Sequence, residues 1–222
     1  LHKIQEINFS DTLNYLDPRW GEANQGLRNT TDYLEKTQTS LNNMSAIIAS
    51  QTALEFTELA DLNQLLDNLE EFTQSASKRI DIVDQYVSAL NGTFQSVRYF
   101  SLGSFSLNET LTEVIGGGPF DPQAAISNFT SCQTEANLTY DNLTSVRGRL
   151  LNDSAVDNWR ELVKGNITDD NTNSIYMNAE RCLDLISDIE TAQITPNDAL
   201  GDFQDILTNM EQLDDNWDVF TS

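Results

Sequence analysis

The residues best spaced for chemistry stand at 169 to 180, "DDNTNSIYMNAE". Laid on the calcium-loop pattern D-x-[DN]-x-[DN]-G-x5-E, the stretch puts Asp169, Asn171, Asn173 and Glu180 where oxygens would ligate the ion. Two positions depart from the pattern. Ser174 stands where glycine makes the sharp turn, and Met177 stands where a further oxygen donor belongs. A chain this rich in Asp and Asn produces such partial matches by composition. The stretch therefore reads as a polar loop between helices, with Asn173 capping the helix that follows. No metal site and no cofactor is expected.

Other catalytic devices lack parts. His2 is the only histidine, so a Ser-His-Asp or Cys-His pair, or an imidazole metal site, would depend on it alone. The 35 Asp and Glu residues are scattered, with none set in apolar surroundings that would tune it for acid–base work. The "GGGP" at 116 to 119 lacks the Lys and Ser/Thr of a phosphate-cradling loop. No catalytic residue is assigned, and the chain reads as non-enzymatic. Among the tryptophans, Trp20 and Trp217 fall on apolar stripes and read as core. Trp159, in "DNWREL", is the candidate binding anchor.

The pattern that exceeds chance is a set of sugar acceptors. Ten Asn-x-Ser/Thr sequons occur, none with Pro in the middle: Asn8, Asn29, Asn43, Asn91, Asn108, Asn128, Asn137, Asn142, Asn152 and Asn166. Random placement of this composition gives about four. The excess predicts an N-glycosylated chain that passes through a eukaryotic secretory pathway, in an extracellular or cell-surface location. Cys132 and Cys182 are an even pair without metal-like spacing, and in an oxidising compartment they are expected to form a disulfide. It would close a loop of about 50 residues, worth roughly 4 kcal/mol by chain entropy.

Charge narrows the partners. With 35 acidic residues against 12 basic the net charge is −23, which repels nucleic-acid phosphates and anionic lipid headgroups. No nucleic-acid partner is expected. No stretch reaches the roughly 20 apolar residues of a membrane span, so no insertion is expected within this segment. The first residue is not Met and no signal peptide is evident, which reads as a mature secreted protein or an ectodomain whose anchor lies elsewhere.

The elements that would position these residues are helices. Leu27, Leu34, Leu41 and, further on, Leu62, Leu69, Ala76, Val83, Leu90 and Val97 recur every seventh residue. A more mixed companion seam runs through Leu16, Ala23, Thr30, Thr37, Met44, Leu65, Phe72, Arg79, Tyr86, Thr93 and Phe100, failing at Gln51 and Glu58. A sustained repeat of this kind means helices packed along a stripe at a shallow angle. The pattern lapses at 51 to 58, where a hairpin turn is favoured over one continuous helix. Asn29 and Asn43, 14 residues apart, fall two places after a seam residue and so face outward; Asn128 and Asn142 repeat the arrangement in the second half. Helix starts are expected at Pro18, Pro122 and Pro196, each preceded by an Asp or Thr able to cap free backbone N–H groups. Residues 101 to 121, with their glycines and Pro119, read as a break. Helices are expected from Pro122 to about Leu151, over 154 to 165, from about Ser174 to Ala192, and from Pro196 onward.

The fold class expected is all-α: an elongated helical bundle with long heptad-patterned helices and one disulfide. The organisation expected is a long helical hairpin over 1–101, a linker over 102–121 and a second helical half over 122–222, which would pack with the first or stand apart. Function is then expected in helical faces free of glycan. Residues 54 to 90 carry no sequon and are the first candidate contact surface for a protein partner or for self-assembly, with 167 to 222 the second. A glycan placed at Asp67 or Asp84 is expected to abolish such contact. The alternative is a secreted helical binding module or inhibitor holding a small ligand or an enzyme in a pocket near Tyr140, Trp159 or Tyr176.

Overall fold

The computed structural model of the chain describes the backbone of residues 10–50, 56–149, 153–165 and 173–221, and the side chains of 21, 24–46, 64–149, 153–165 and 173–213. Among the described residues there are six helices: α1 (Ser10–Ser50), α2 (Phe56–Ile115), α3 (Gln123–Val146), α4 (Asp153–Val163), α5 (Ile175–Glu190) and α6 (Pro196–Thr221). No strand occurs among the described residues, so the all-α class is the one the spacing predicts. Packing divides the chain into two compact units, one of Leu1–Trp20 with Ser88–Ser222 and one of Gly21–Val87.

The larger unit has a deep apolar core. Phe129 of α3 and Phe203 of α6 are wholly buried in it, with Phe100, Leu107 and Leu111 of α2. The Phe100 and Phe129 rings meet edge to face at 5.5 Å and 61°, a favoured aromatic geometry. α5 and α6 each bury one apolar face. Ile175, Cys182 and Leu185 are buried on one, and Ala199, Phe203, Ile206 and Met210 on the other.

The expected break at 101 is absent, because α2 runs unbroken to Ile115. Two glycines inside α2 serve helix contact. A Cβ at Gly103 would lie 2.8 Å from the Phe129 ring, and one at Gly92 would overlap the Thr139 hydroxyl. Their missing side chains let α3 lie close against α2. The true turn is Gly116–Gly118, where Gly117 takes φ 90° and the Gly118 N–H donates to the Glu113 carbonyl at 2.9 Å.

The proline grammar holds in full at Pro196 and within one residue at Pro122. Pro122 is the N-cap residue of α3, and the Gln123 N–H donates to Asp121 Oδ1 at 3.4 Å. Pro196 opens α6, where the Asp198 N–H donates to Thr195 Oγ1 and that hydroxyl donates back to Asp198 Oδ2 at 2.7 Å. At the third the expectation is corrected. The chain is already helical from Ser10, so Pro18 stands inside α1, where proline removes a donor and costs about 3 kcal/mol relative to alanine. Gly148 and Gly165, both with positive φ, follow α3 and α4, and α3 ends at Val146 rather than near Leu151.

The disulfide is also corrected. Cys132 and Cys182 are free and wholly buried, on α3 and α5. Burial pushes the Cys132 thiol well above its ordinary value of 9.0, against a smaller opposing pull from the Phe100 backbone. Burial also raises Cys182, and the neighbouring charge Cys132 would carry raises it further. Both thiols are neutral and fill the core as small hydrophobes. An even cysteine count bears on pairing only where helix packing also gives the sulfurs bonding geometry.

Candidate binding groove

The Gly21–Val87 unit is built from two consecutive helices. α1 ends at Ser50 and α2 begins at Phe56. The expected turn at 51 to 58 lies largely outside the described residues. Five linking residues span at most about 18 Å, so helices of this length can pack side by side only if they run antiparallel. On α1 Leu41 is buried, with Leu27 and Leu34 half-buried, as the first seam predicts. On α2, among the described residues up to Val87, Thr73 and Val87 are buried and Leu66, Leu69, Ala76, Ile80, Ile82, Gln85 and Tyr86 are half-buried.

The companion seam holds from half-buried Tyr86 to buried Thr93 and Phe100, but it turns outward earlier on both arms. Thr30, Thr37 and Met44 are exposed on α1, and Leu65, Phe72 and Arg79 on α2. Their neighbours Gln38, Leu66, Thr73 and Ile80 turn inward instead. The cause is the width of the apolar arc on α2. It runs from Leu65 and Phe72 across Leu69 to Thr73 and Ile80, broader than the narrow stripe one neighbouring helix covers. α1 lies over one edge. The other edge stays open, with Leu65 57%, Phe72 71% and Val83 39% exposed.

Along the covered edge the two helices form a groove of about 530 Å³, within the size range of ligand sites. Leu27 and Leu34 of α1 and Thr73 and Ile80 of α2 are among its lining residues and supply its apolar floor. Glu35 of α1 and Asp81 and Asp84 of α2 supply its carboxylates. All three are exposed, no Lys or Arg lines the groove, and none of the three is in an ion pair among the described residues. Lys36, beside Glu35, is held by Asp32 at 2.5 Å. Asp81 and Asp84 lie in the sequon-free stretch 54 to 90, and Asp84 is a position where a glycan is expected to block contact. Glu35, on the other helix, is marked by neither seam.

The structure also gathers part of the second expected pocket, in the larger unit. Lys164 Nζ stands 5.0 Å over the Tyr140 ring and 5.9 Å from the Tyr176 ring. The Arg160 guanidinium lies 4.5 Å over Tyr140 and donates to a Tyr140 hydroxyl at 2.7 Å. Arg160 and Arg147 both donate to Asp157, at 2.9 and 2.7 Å. Burial raises the Asp157 carboxyl, but these two cations outweigh it and hold the group below its ordinary value of 3.8. Trp159 does not join this cluster. It is buried, and its indole N–H donates to the Thr93 hydroxyl of α2 at 2.9 Å, so the candidate anchor is a core residue.

The calcium pattern falls apart where it can be seen. Asp169 and Asn171 lie outside the described residues. Ser174, not Asn173, is the N-cap of α5, accepting from the Met177 N–H at 3.2 Å. Asn173 donates to the Asn209 carbonyl of α6 at 2.9 Å and accepts from buried Asn178 at 2.8 Å, which ties the loop end to two helices. No group of three or more metal-ligating side chains occurs among the described residues.

Of the sequon asparagines, Asn29 and Asn43 are exposed on α1, on the side turned from the seam. Asn91, Asn108, Asn128, Asn137 and Asn142 are half-buried in the larger unit, and Asn128 Nδ2 donates to the Ala124 carbonyl at 2.9 Å. Asn8, Asn152 and Asn166 lie outside the described residues. Among the described residues no helix is long and apolar enough to cross a membrane. No family model, curated protein or solved structure matches the chain, so its function is read from its own geometry.

Proposed function

We propose that this is a non-enzymatic, N-glycosylated extracellular or cell-surface protein that acts by protein contact through helical faces free of glycan. One observation carries the reading. The sequon-free stretch 54 to 90 is where α2 leaves Leu65, Phe72 and Val83 uncovered and where it forms one wall of the groove. Uncovered large apolar side chains on one helix face mark a contact surface. Asn29 and Asn43 support the reading from the other arm, because both acceptors are exposed and turned from the seam, where a sugar fits without disturbing it.

Expression through the secretory pathway of a eukaryotic cell, followed by enzymatic removal of N-glycans, tests the compartment. A fall in mass equal to several glycans is the expected result. A secreted chain of unmodified mass overturns the reading. The second reading, a secreted binding module for a small ligand, draws on the Lys164 ammonium set against Tyr140 and Tyr176. Chemical-shift changes confined to those two rings on adding small anions are the outcome that favours it.

A further inference from the structure

We propose that the groove between α1 and α2 takes a basic amphipathic helix of a partner protein. The inference rests on the protein-contact reading above and names the chemistry of the partner. The groove's lining runs from Leu27 to Gln38 on α1 and from Thr73 to Asp84 on α2. At 1.5 Å per residue each wall is roughly 16 Å long, about three helical turns. That length suits a helix with apolar anchors at i, i+3 or i+4, and i+7. The floor offers Leu27, Leu34 and Ile80 to those anchors, all half-buried and so still open to contact.

Charge selects the flanks of the incoming helix. Glu35 stands on one wall and Asp81 and Asp84 on the other, with no cation in the lining. Lysine or arginine on both sides of an apolar stripe would face a carboxylate on each wall. An acidic helix would meet like charge on both. The exposed sequon asparagines of α1, Asn29 and Asn43, do not line the groove, so glycans there leave its mouth open.

The probe is a synthetic helical peptide of about fourteen residues, with leucines at i, i+3 and i+7 flanked by lysines. Its binding to the full chain is read by fluorescence anisotropy at physiological salt, with the glycosylated and the deglycosylated protein. The triple variant Glu35→Gln/Asp81→Asn/Asp84→Asn removes the groove carboxylates. The triple variant Glu109→Gln/Glu113→Gln/Asp141→Asn removes three exposed carboxylates that lie outside the lining and outside both candidate contact stretches. Helix content of both is checked by circular dichroism. The groove variant is expected to weaken binding about tenfold or more, and the control variant less than about twofold. A peptide with glutamates in place of the lysines is expected not to bind.

Equal loss in both variants means attraction to an acidic surface at large and overturns the proposal. So does equal binding of a scrambled peptide with the same lysines. A dimer in light scattering that the groove variant splits would assign the groove to a second copy of this chain, again overturning it. The two levels fail separately. A glycosylated chain whose groove does not discriminate leaves the glycoprotein reading standing. A chain without glycans that still binds through the groove does the reverse.

Discussion

Phe129 and Phe72 are the same side chain on helices of one chain, yet the first is wholly buried and the second 71% exposed. Phe129 belongs to a unit where α2, α3, α5 and α6 all contribute to one core that encloses it, although Phe105 and Leu138 of the same unit stay exposed outside that core. Phe72 belongs to a unit of two helices, where a single neighbour covers one edge of the stripe. Local periodicity is as good in both places. What differs is the number of neighbours, and that number decides whether an apolar residue becomes core or contact surface.

The largest test of this contrast is to truncate both rings. Phe129→Ala should cost about 3–5 kcal/mol in denaturant unfolding, from lost burial and the cavity left behind. Phe72→Ala should change stability by no more than about 0.5 kcal/mol, because water already reaches the ring. Comparable losses would mean that Phe72 is packed in solution, most simply by a second chain, and would blur the distinction between the units.

Glycines sharpen the comparison at a smaller scale. Gly103→Ala drives a methyl group into the Phe129 ring and should cost about 1–3 kcal/mol. Gly26→Ala, in α1 with nothing within 4 Å of the added carbon, should instead raise stability by about 0.5–1 kcal/mol. Thermal unfolding of the two variants, moving in opposite directions, is the measurement.

The buried thiols set a pH signature for the larger unit alone. Their native pKa values lie above the ordinary 9.0, so their contribution is complete below pH 9 and is lost as pH rises beyond it, where the unfolded chain ionises first. The slope is about 1.4 kcal/mol per pH unit for each thiol. Cys132→Ala/Cys182→Ala should lower the plateau through cavities and remove this slope. A thiol reagent should find two free groups after denaturation and none before, and a count of zero in both would restore the disulfide. The smallest effect is at Asp157. Its lowered pKa contributes above the ordinary 3.8 and is lost as pH falls through the native value, so Asp157→Asn should flatten the acid limb slightly in urea unfolding below pH 4.

Much of the helical frame is legible in the residues. The stripes of α5 and α6, the caps at Asp121 and Thr195 and the first seam of the hairpin all follow from spacing and local hydrogen bonding. Other features depend on distant partners. Gly103 reads as a break until Phe129 lies against it, because a missing side chain serves a turn and a close contact equally well. Leu65 and Phe72 attract the seam because they are larger and more apolar than Thr73, yet the position of α1 turns Thr73 inward. Asp84 stands in the sequence only as a point on a sequon-free stretch, and that it shares a groove with Glu35 depends on which edge of α2 is covered. Asn173 looks like the cap of α5 until Ser174 accepts the Met177 N–H and frees it to reach Asn209 on α6.

The link from Trp159 to Thr93 joins α4 to α2 through one buried indole proton. That proton can exchange with deuterium only when the two helices part, and water quenches the indole's emission in the same event. A single side chain thus times the opening of the larger unit by two independent clocks, one isotopic and one optical. Agreement between them would tie both readings to the parting of α4 from α2.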